Sequence, residues 1–292
     1  ENQESSQKIQ NEVKVNNPVP LVLGGPSHSL APIRTYRVGG SVSGLSGAVV
    51  LQNNGAGNLT INANGAFTLA TSIVNGSTYS VTVLTQPDTQ TCAVTNGSGT
   101  VNSANITNVT VTCSTNSYTI GGTVSGLTGS VVLQNNGTDN LTLNTDGPLT
   151  FSTPVAEGST YDVTVLTQPD TQTCTVENGG GTMGDANITN VSVTCSTNAY
   201  TVGGSVAGLT GSVVLQNNGA DNLTLNTNGS LTFSTPVAEG SPYDVMVLTQ
   251  PENQTCTVNN GSGTMGGANV TNVSVTCSTN AYTVGGSVAG LT

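Results

Sequence analysis

The sequence predicts an all-β chain: three tandem copies of one disulfide-stapled unit of about seven short strands, preceded by an extended N-terminal arm. Three observations predict it. The block T-Q-P-[DE]-x-Q-T-C recurs with its cysteine at Cys92, Cys174 and Cys256, a shift of 82 positions each time, and a fixed period of this length overrides any domain count taken from chain length. All six cysteines fall in three pairs of equal spacing, Cys92 with Cys113, Cys174 with Cys195 and Cys256 with Cys277. Apolar residues alternate with polar ones over short runs bounded by Gly, Asn and Pro, and no stretch carries the 3.6-residue period of a helix.

The arm, residues 1–35, differs from everything after it. It opens polar and charged (ENQESSQKIQNEVKVNN) and continues as a proline-punctuated apolar run, PVPLVLGGPSHSLAPIR. Val13, Val15, Val19, Leu21, Val22 and Leu23 give it too little apolar content to fold alone but suit it to pair with a sheet edge, where Pro18 and Pro20 are tolerated. His28, the only histidine, sits between two serines and reads as a solvated loop residue.

The repeats follow as residues 36–117, 118–199 and 200–281, with 282–292 as the first strand of an incomplete fourth. In the second copy YTIGGTVSGL is the first strand, its glycine pair allowing a bulge or a close backbone approach. GSVVLQNNG comes next. In NLTLNTDG the alternation of Leu141 and Leu143 with Thr142 and Asn144 marks a half-buried strand. Asp146-Gly147 signals a tight turn, as do Asn64-Gly65 and Asn228-Gly229. Two further strands flank Glu157-Gly158, with Leu149, Phe151, Tyr161, Val163 and Val165 inward. CTVENGGGTM and ITNVSVTC close the unit, the latter with Val191 and Val193 inward. Four residues, 114–117, separate the last cysteine of one unit from the first tyrosine of the next, a tether too short to give much freedom. Units about 35 Å long would then stack into a rod on the order of 100 Å, taking roughly ten residues per strand at about 3.3 Å each.

The shorter separation favours cysteine pairing within a repeat over Cys113 with Cys174, because it joins adjacent strands of one unit. Closing a loop of this size contributes about 3.4 kcal/mol in the chain-entropy model, less any native strain. A zinc site is a weaker reading, since no third cysteine or histidine lies near any pair, and free buried thiols fit an invariably paired set poorly. A disulfide in every unit places the chain in an oxidising compartment, expected here to be extracellular and at the cell surface. With Gly at 37 residues, no Trp and 3% aromatic content, the cores are thin and a covalent staple compensates for limited apolar burial.

Charge excludes several partners. The net charge is -11, and Lys8, Lys14, Arg34 and Arg37 are the only cations. Beyond Arg37 the repeats therefore have nothing to contact phosphates, which argues against nucleic acid and against a polybasic membrane contact. No run of 18 apolar residues spans a bilayer.

The succession G-x-V-x-G-L, V-V-L-Q-N-N-G, N-G-x-x-T-F, G-x-x-Y-x-V-x-V and Q-P-x-x-Q-T-C resembles the tandem immunoglobulin-like or prealbumin-like β-sandwich repeats of large bacterial surface proteins and adhesins. The resemblance covers residues 36–292. It implies a seven-stranded sandwich per repeat and a cell-surface setting, and leaves function open, since such modules serve as stalks, adhesive tips and fibre subunits alike. Some surface relatives are stapled by Lys to Asn isopeptide bonds. With no lysine after Lys14 that chemistry is closed to these repeats, and the disulfide takes its place.

Candidate sites are weak against their structural readings. NNGTDN and NTDG invite calcium, yet no D-x-[DN]-x-[DN]-G loop with a distal Glu occurs, and Asp139 and Asp146 become Gly57 and Asn64 in the first copy. Turn chemistry accounts for them better, and no metal or cofactor is expected. Alternating threonines (Thr110, Thr112, Thr142) suggest a hydroxyl array for ice or glycan, but Thr is also a favoured residue on an exposed strand face. Asn-x-Ser/Thr sequons, at Asn58, Asn105, Asn108 and Asn190 among others, arise from composition. No placed base, nucleophile or cationic electrophile accompanies the repeats, so the chain is not expected to be an enzyme. The expected role is a structural subunit of a surface fibre or stalk whose partners are copies of itself, joined head to tail by donor-strand addition. The alternative is a repetitive adhesin binding a host or surface ligand, glycan or protein.

Overall fold

The computed structural model describes residues 32–290, and among these all regular structure is β. In the first repeat the strands are β1 (Thr35–Tyr36), β2 (Val38–Ser43), β3 (Val49–Asn53), β4 (Ala56–Ile61), β5 (Gly65–Thr68), β6 (Ile73–Val74), β7 (Thr78–Thr85), β8 (Gln90–Thr95), β9 (Ser98–Thr100) and β10 (Ile106–Thr115). Their counterparts in the later repeats lie 82 and 164 residues on, with nearly the same bounds.

Each repeat folds into two four-stranded sheets, ordered β5-β2-β10-β8 and β4-β3-β7-β9, with β1 and β6 forming a short separate ladder. The seven strands read from the sequence are present, and the eighth is β9. Its Ser-Gly-Thr sequence has no apolar alternation to announce it. It is nonetheless placed by pairing with β7, where Gly99 lies opposite Tyr79 and its missing side chain leaves room for the tyrosine ring.

Alternation decides which face turns inward. Along β3, Val49, Leu51 and Asn53 are buried while Val50 and Gln52 are half-exposed. Along β10, Val109, Val111 and Cys113 are buried beside an exposed Thr112. The inner faces of both sheets meet in one cluster, with Val42, Phe67, Val109 and Val111 from the first sheet and Val49, Leu51, Tyr79 and Val81 from the second. This is sandwich packing. Each such side chain contributes about 1.5–3 kcal/mol on burial. In the second repeat Leu149, Phe151, Tyr161, Val163, Val191 and Val193 are buried, and Val165, Leu141 and Leu143 pack at the margin.

Beyond the short ladder strand that opens each repeat, its first and last sheet strands are neighbours. β2 pairs parallel with β10, from Val38 opposite Ile106 to Ser43 opposite Thr112, with a register shift between Ile106 and Val109. The glycine pair makes this possible, since a Cβ on Gly40 would run into the Val109 carbonyl, as one on Gly122 or Gly204 would into those of Val191 and Val273. Residues 281–290 carry the same sequence as 199–208 but no strand. Tyr282, Val284 and Val288 are exposed there, where Tyr200, Val202 and Val206 are packed into the third core.

Candidate functional site

The four-residue tether read from the sequence, 114–117, is shorter still in the structure. Ser114 and Thr115 belong to β10 and Ser117 to the next ladder strand, which leaves Asn116 alone between the two. Asn116 is bonded in both directions. Toward the first repeat its N–H donates to the Thr89 carbonyl at 3.0 Å and its Oδ1 accepts from the Thr91 hydroxyl at 2.8 Å. Toward the second repeat its carbonyl accepts from the Glu157 N–H at 2.9 Å and its Nδ2 donates to Glu157 Oε2 at 3.0 Å. The chain then pairs at once with its new repeat, Ser117 opposite Ala156 and Tyr118 opposite Val155.

Asn198 repeats the arrangement. It is held by Thr171 and Thr173 on one side and by Glu239 on the other, at 3.0 Å between Nδ2 and Oε2. Asn280 makes the same two bonds to its own repeat, from its N–H to the Asn253 carbonyl and from the Thr255 hydroxyl to its Oδ1. The first repeat differs. Asn75 stands where Glu157 and Glu239 stand, donating its N–H to the Arg34 carbonyl while its Oδ1 accepts from the Ser103 N–H. The glutamate is thus present at the two positions entered from a preceding repeat. Sequence reading missed this joint, although the signal was there: S-T-N ends every unit, and Glu-Gly gives way to Asn-Gly only in the first.

The cysteines stand directly opposite one another on β8 and β10, and Cys92–Cys113, Cys174–Cys195 and Cys256–Cys277 are bonded. β8 is an edge strand, and the glutamines of the repeated motif cover it. Gln86 sends its Nε2 to the Cys92 carbonyl at 3.0 Å and accepts the Cys92 N–H on Oε1 at 2.7 Å, so one side-chain amide substitutes for a neighbouring strand. Gln168 and Gln250 do the same for Cys174 and Cys256. The second glutamine is buried and ties the loop after β2 to β8: Gln90 accepts from the Ser46 N–H and donates to the Gly44 carbonyl. The fixed T-Q-P-x-x-Q-T-C spacing is therefore a hydrogen-bonding device around the disulfide.

The acidic clusters serve turns. Asp146 accepts the N–H groups of Gly126 and Leu127, the latter at 2.7 Å, and Asp139 accepts from the Ser152 hydroxyl and the Thr153 N–H. Their oxygens are engaged by the protein itself, and among the described residues no three His, Cys, Asp or Glu side chains group to hold a metal. Thr112 and Thr142 are exposed and Thr110 half-buried on outward strand faces. A surface dent of about 460 Å³ in the third repeat is lined by Asn217, Asn218, Asp221, Thr235 and neighbours, and Asp221 there is already bonded to Ser234 and Thr235. The arm residues Val13, Val15, Val19, Leu21, Val22 and Leu23, and His28, lie outside the described residues. No helix among the described residues is long and apolar enough to cross a membrane.

No protein-family model and no curated protein sequence matches the chain. Among solved structures it is similar to the Bacillus anthracis TIE protein, with a TM-score of 0.54 at 12% identity over 84% of this chain and 51% of that one. Two B repeat units of the collagen binding protein of Staphylococcus aureus match at 15% identity over 84% and 75% of the two chains, TM-score 0.28. A streptococcal ancillary pilin matches at 8% identity over 82% and 99%, TM-score 0.29. The chain spans about half the length of the B. anthracis protein. The likeness is one of fold, and it rests on the first of the three. What this chain shares with that bacterial protein is an architecture of tandem β-sandwich repeats.

Proposed function

We propose that the chain is a structural part of an extracellular surface fibre or stalk, in which the repeats act as a stiff spacer and not as an enzyme. The observation that carries this reading is the joint: one asparagine between sandwiches, bonded on both sides, at 116 and again at 198. A chain of independent binding modules has no need of such a joint, whereas a shaft that must hold its direction does. The near identity of the repeats supports the same reading, since an adhesive site departs from the spacer pattern around it.

The finer part of the proposal is assembly. Residues 1–35 form the polymerisation arm through Val13, Val15, Val19, Leu21, Val22 and Leu23, of which all but Val22 share one strand face and enter a neighbouring copy. Donor-strand addition uses such a segment, because main-chain hydrogen bonds give affinity and alternate side chains give specificity. A head-to-tail contact of this kind does not close and so propagates into a filament. Electron microscopy of the full chain and of residues 36–292 tests it: filaments are expected from the first only, and filaments of equal length from both would show that the arm has no part in assembly.

A further inference from the structure

We infer that each repeat is a tension clamp with a covalent stop, a reading that rests on the fibre function proposed above and concerns what such a fibre does under load. Past the short ladder strand at its entry, tension along the array passes into a repeat at its first sheet strand and leaves at its last. In the second repeat these are the strands at 120–125 and 188–197, and they are parallel neighbours, Ile120 opposite Ile188 and Ser125 opposite Thr194. Pulling the start of one strand against the end of its parallel neighbour slides the two past each other. All rungs between them then carry the load together and must fail together. An antiparallel first and last pair would be peeled open one rung at a time. Non-adjacent strands would put no hydrogen bonds directly between the two points of pull.

The disulfide sits where this geometry concentrates load. Cys195 follows Thr194, the last residue of the parallel register, and is bonded to Cys174 on the opposite flank of the same strand. The exit end of the last strand therefore cannot slide without carrying the edge strand with it. Once the clamp fails, the covalent path runs from the entry of the repeat to Cys174, crosses the sulfur bridge and leaves from Cys195. The residues between the two cysteines stay closed in their loop. With a sequence separation of 21, the bridge withholds about 70 Å of extended chain per repeat. The joints deliver the load to this path, because Asn116 and Asn198 leave no loose segment between the last strand of one repeat and the first ladder strand of the next.

Single-molecule stretching of the full chain between tags at its two ends tests the clamp and the stop separately. Three similar unfolding events are expected in the oxidised protein, each growing by about 70 Å after reduction; increments unchanged by reduction would overturn the stop. For the clamp, Gly122→Ala, which crowds the Val191 carbonyl across the parallel pair, is compared with Leu133→Ala, a buried position in the other sheet. At equal loss of melting temperature, Gly122→Ala is expected to unfold its repeat on the order of tenfold faster at fixed load, and Leu133→Ala to change that rate much less. Rates that follow melting temperature alike in both variants would overturn the clamp. Should Gly122→Ala leave only two events, Val193→Ala, opposite Val124 in the same pair, takes its place. None of these readings depends on filament formation, so a failed clamp and a failed fibre assignment are told apart by the microscopy above.

Discussion

Asn116 and Glu157 close a two-bond ring across the boundary between repeats: the Glu157 N–H donates to the Asn116 carbonyl at 2.9 Å while the Asn116 amide donates to the Glu157 carboxylate at 3.0 Å. Replacing Glu157 with alanine removes the side-chain half and leaves the main-chain half. We predict a loss of about 0.5–1.5 kcal/mol at that joint, the size of one partly exposed hydrogen bond, and wider angular motion between the first two repeats. Residual dipolar couplings measured on residues 36–199 should report it. Glu157→Gln, which retains an acceptor oxygen, should restore most of the order, and equal loosening by both variants would show that the carboxylate charge, rather than the bond, sets the angle.

Gly204 and Gly286 offer a matched pair. They lie in the same local sequence, AYTVGGSVAGL, but a Cβ on Gly204 meets the Val273 carbonyl whereas one on Gly286 meets nothing within 4 Å. Gly204→Ala should destabilise the third repeat by about 1–3 kcal/mol, the usual range for overpacking. Gly286→Ala should be nearly silent. Thermal unfolding of the two variants compares them directly, and equal effects would mean that backbone propensity, and not the close approach, explains the glycine pair.

Gln168→Ala strips both partners from the Cys174 main chain on an edge strand. The expected loss is about 1–2 kcal/mol, which lowers the melting temperature of a unit this size by roughly 5–15 °C. The exposed edge should also pair with other chains more readily. Calorimetry and light scattering of the same sample check the two effects.

Reducing the three disulfides should lower the stability of each repeat by about 2–4 kcal/mol, read as a shift in the urea midpoint of an isolated repeat such as 118–199. A midpoint unmoved by reduction would mean that the thin core suffices without its staple.

The fold class was legible because alternation reports directly which face of a strand is buried: Leu141 with Leu143 and Val191 with Val193 gave their strands away. Alternation says nothing about which strand lies next door. The parallel pairing of β2 with β10 therefore stayed hidden, although the glycine pair that permits it had been noticed as a place of close approach. β9 escaped because Ser98, Gly99 and Thr100 bury nothing. The joint escaped for a related reason: Asn116 and Gln90 act through amide hydrogen bonds with residues far along the chain. A single sequence shows amides of this kind only as turn-prone polar residues.

The proposed shaft owes its stiffness to the single bonded residue that separates one repeat from the next. Small-angle X-ray scattering on residues 36–281 tests it most directly. Three units of about 35 Å held in line predict a maximum dimension on the order of 100 Å, with a scattering profile that fits one rod-like shape and stays unchanged with salt. A profile that requires an ensemble of bent arrangements, with a mean dimension well below that length, would show that the joints do not hold the repeats in line.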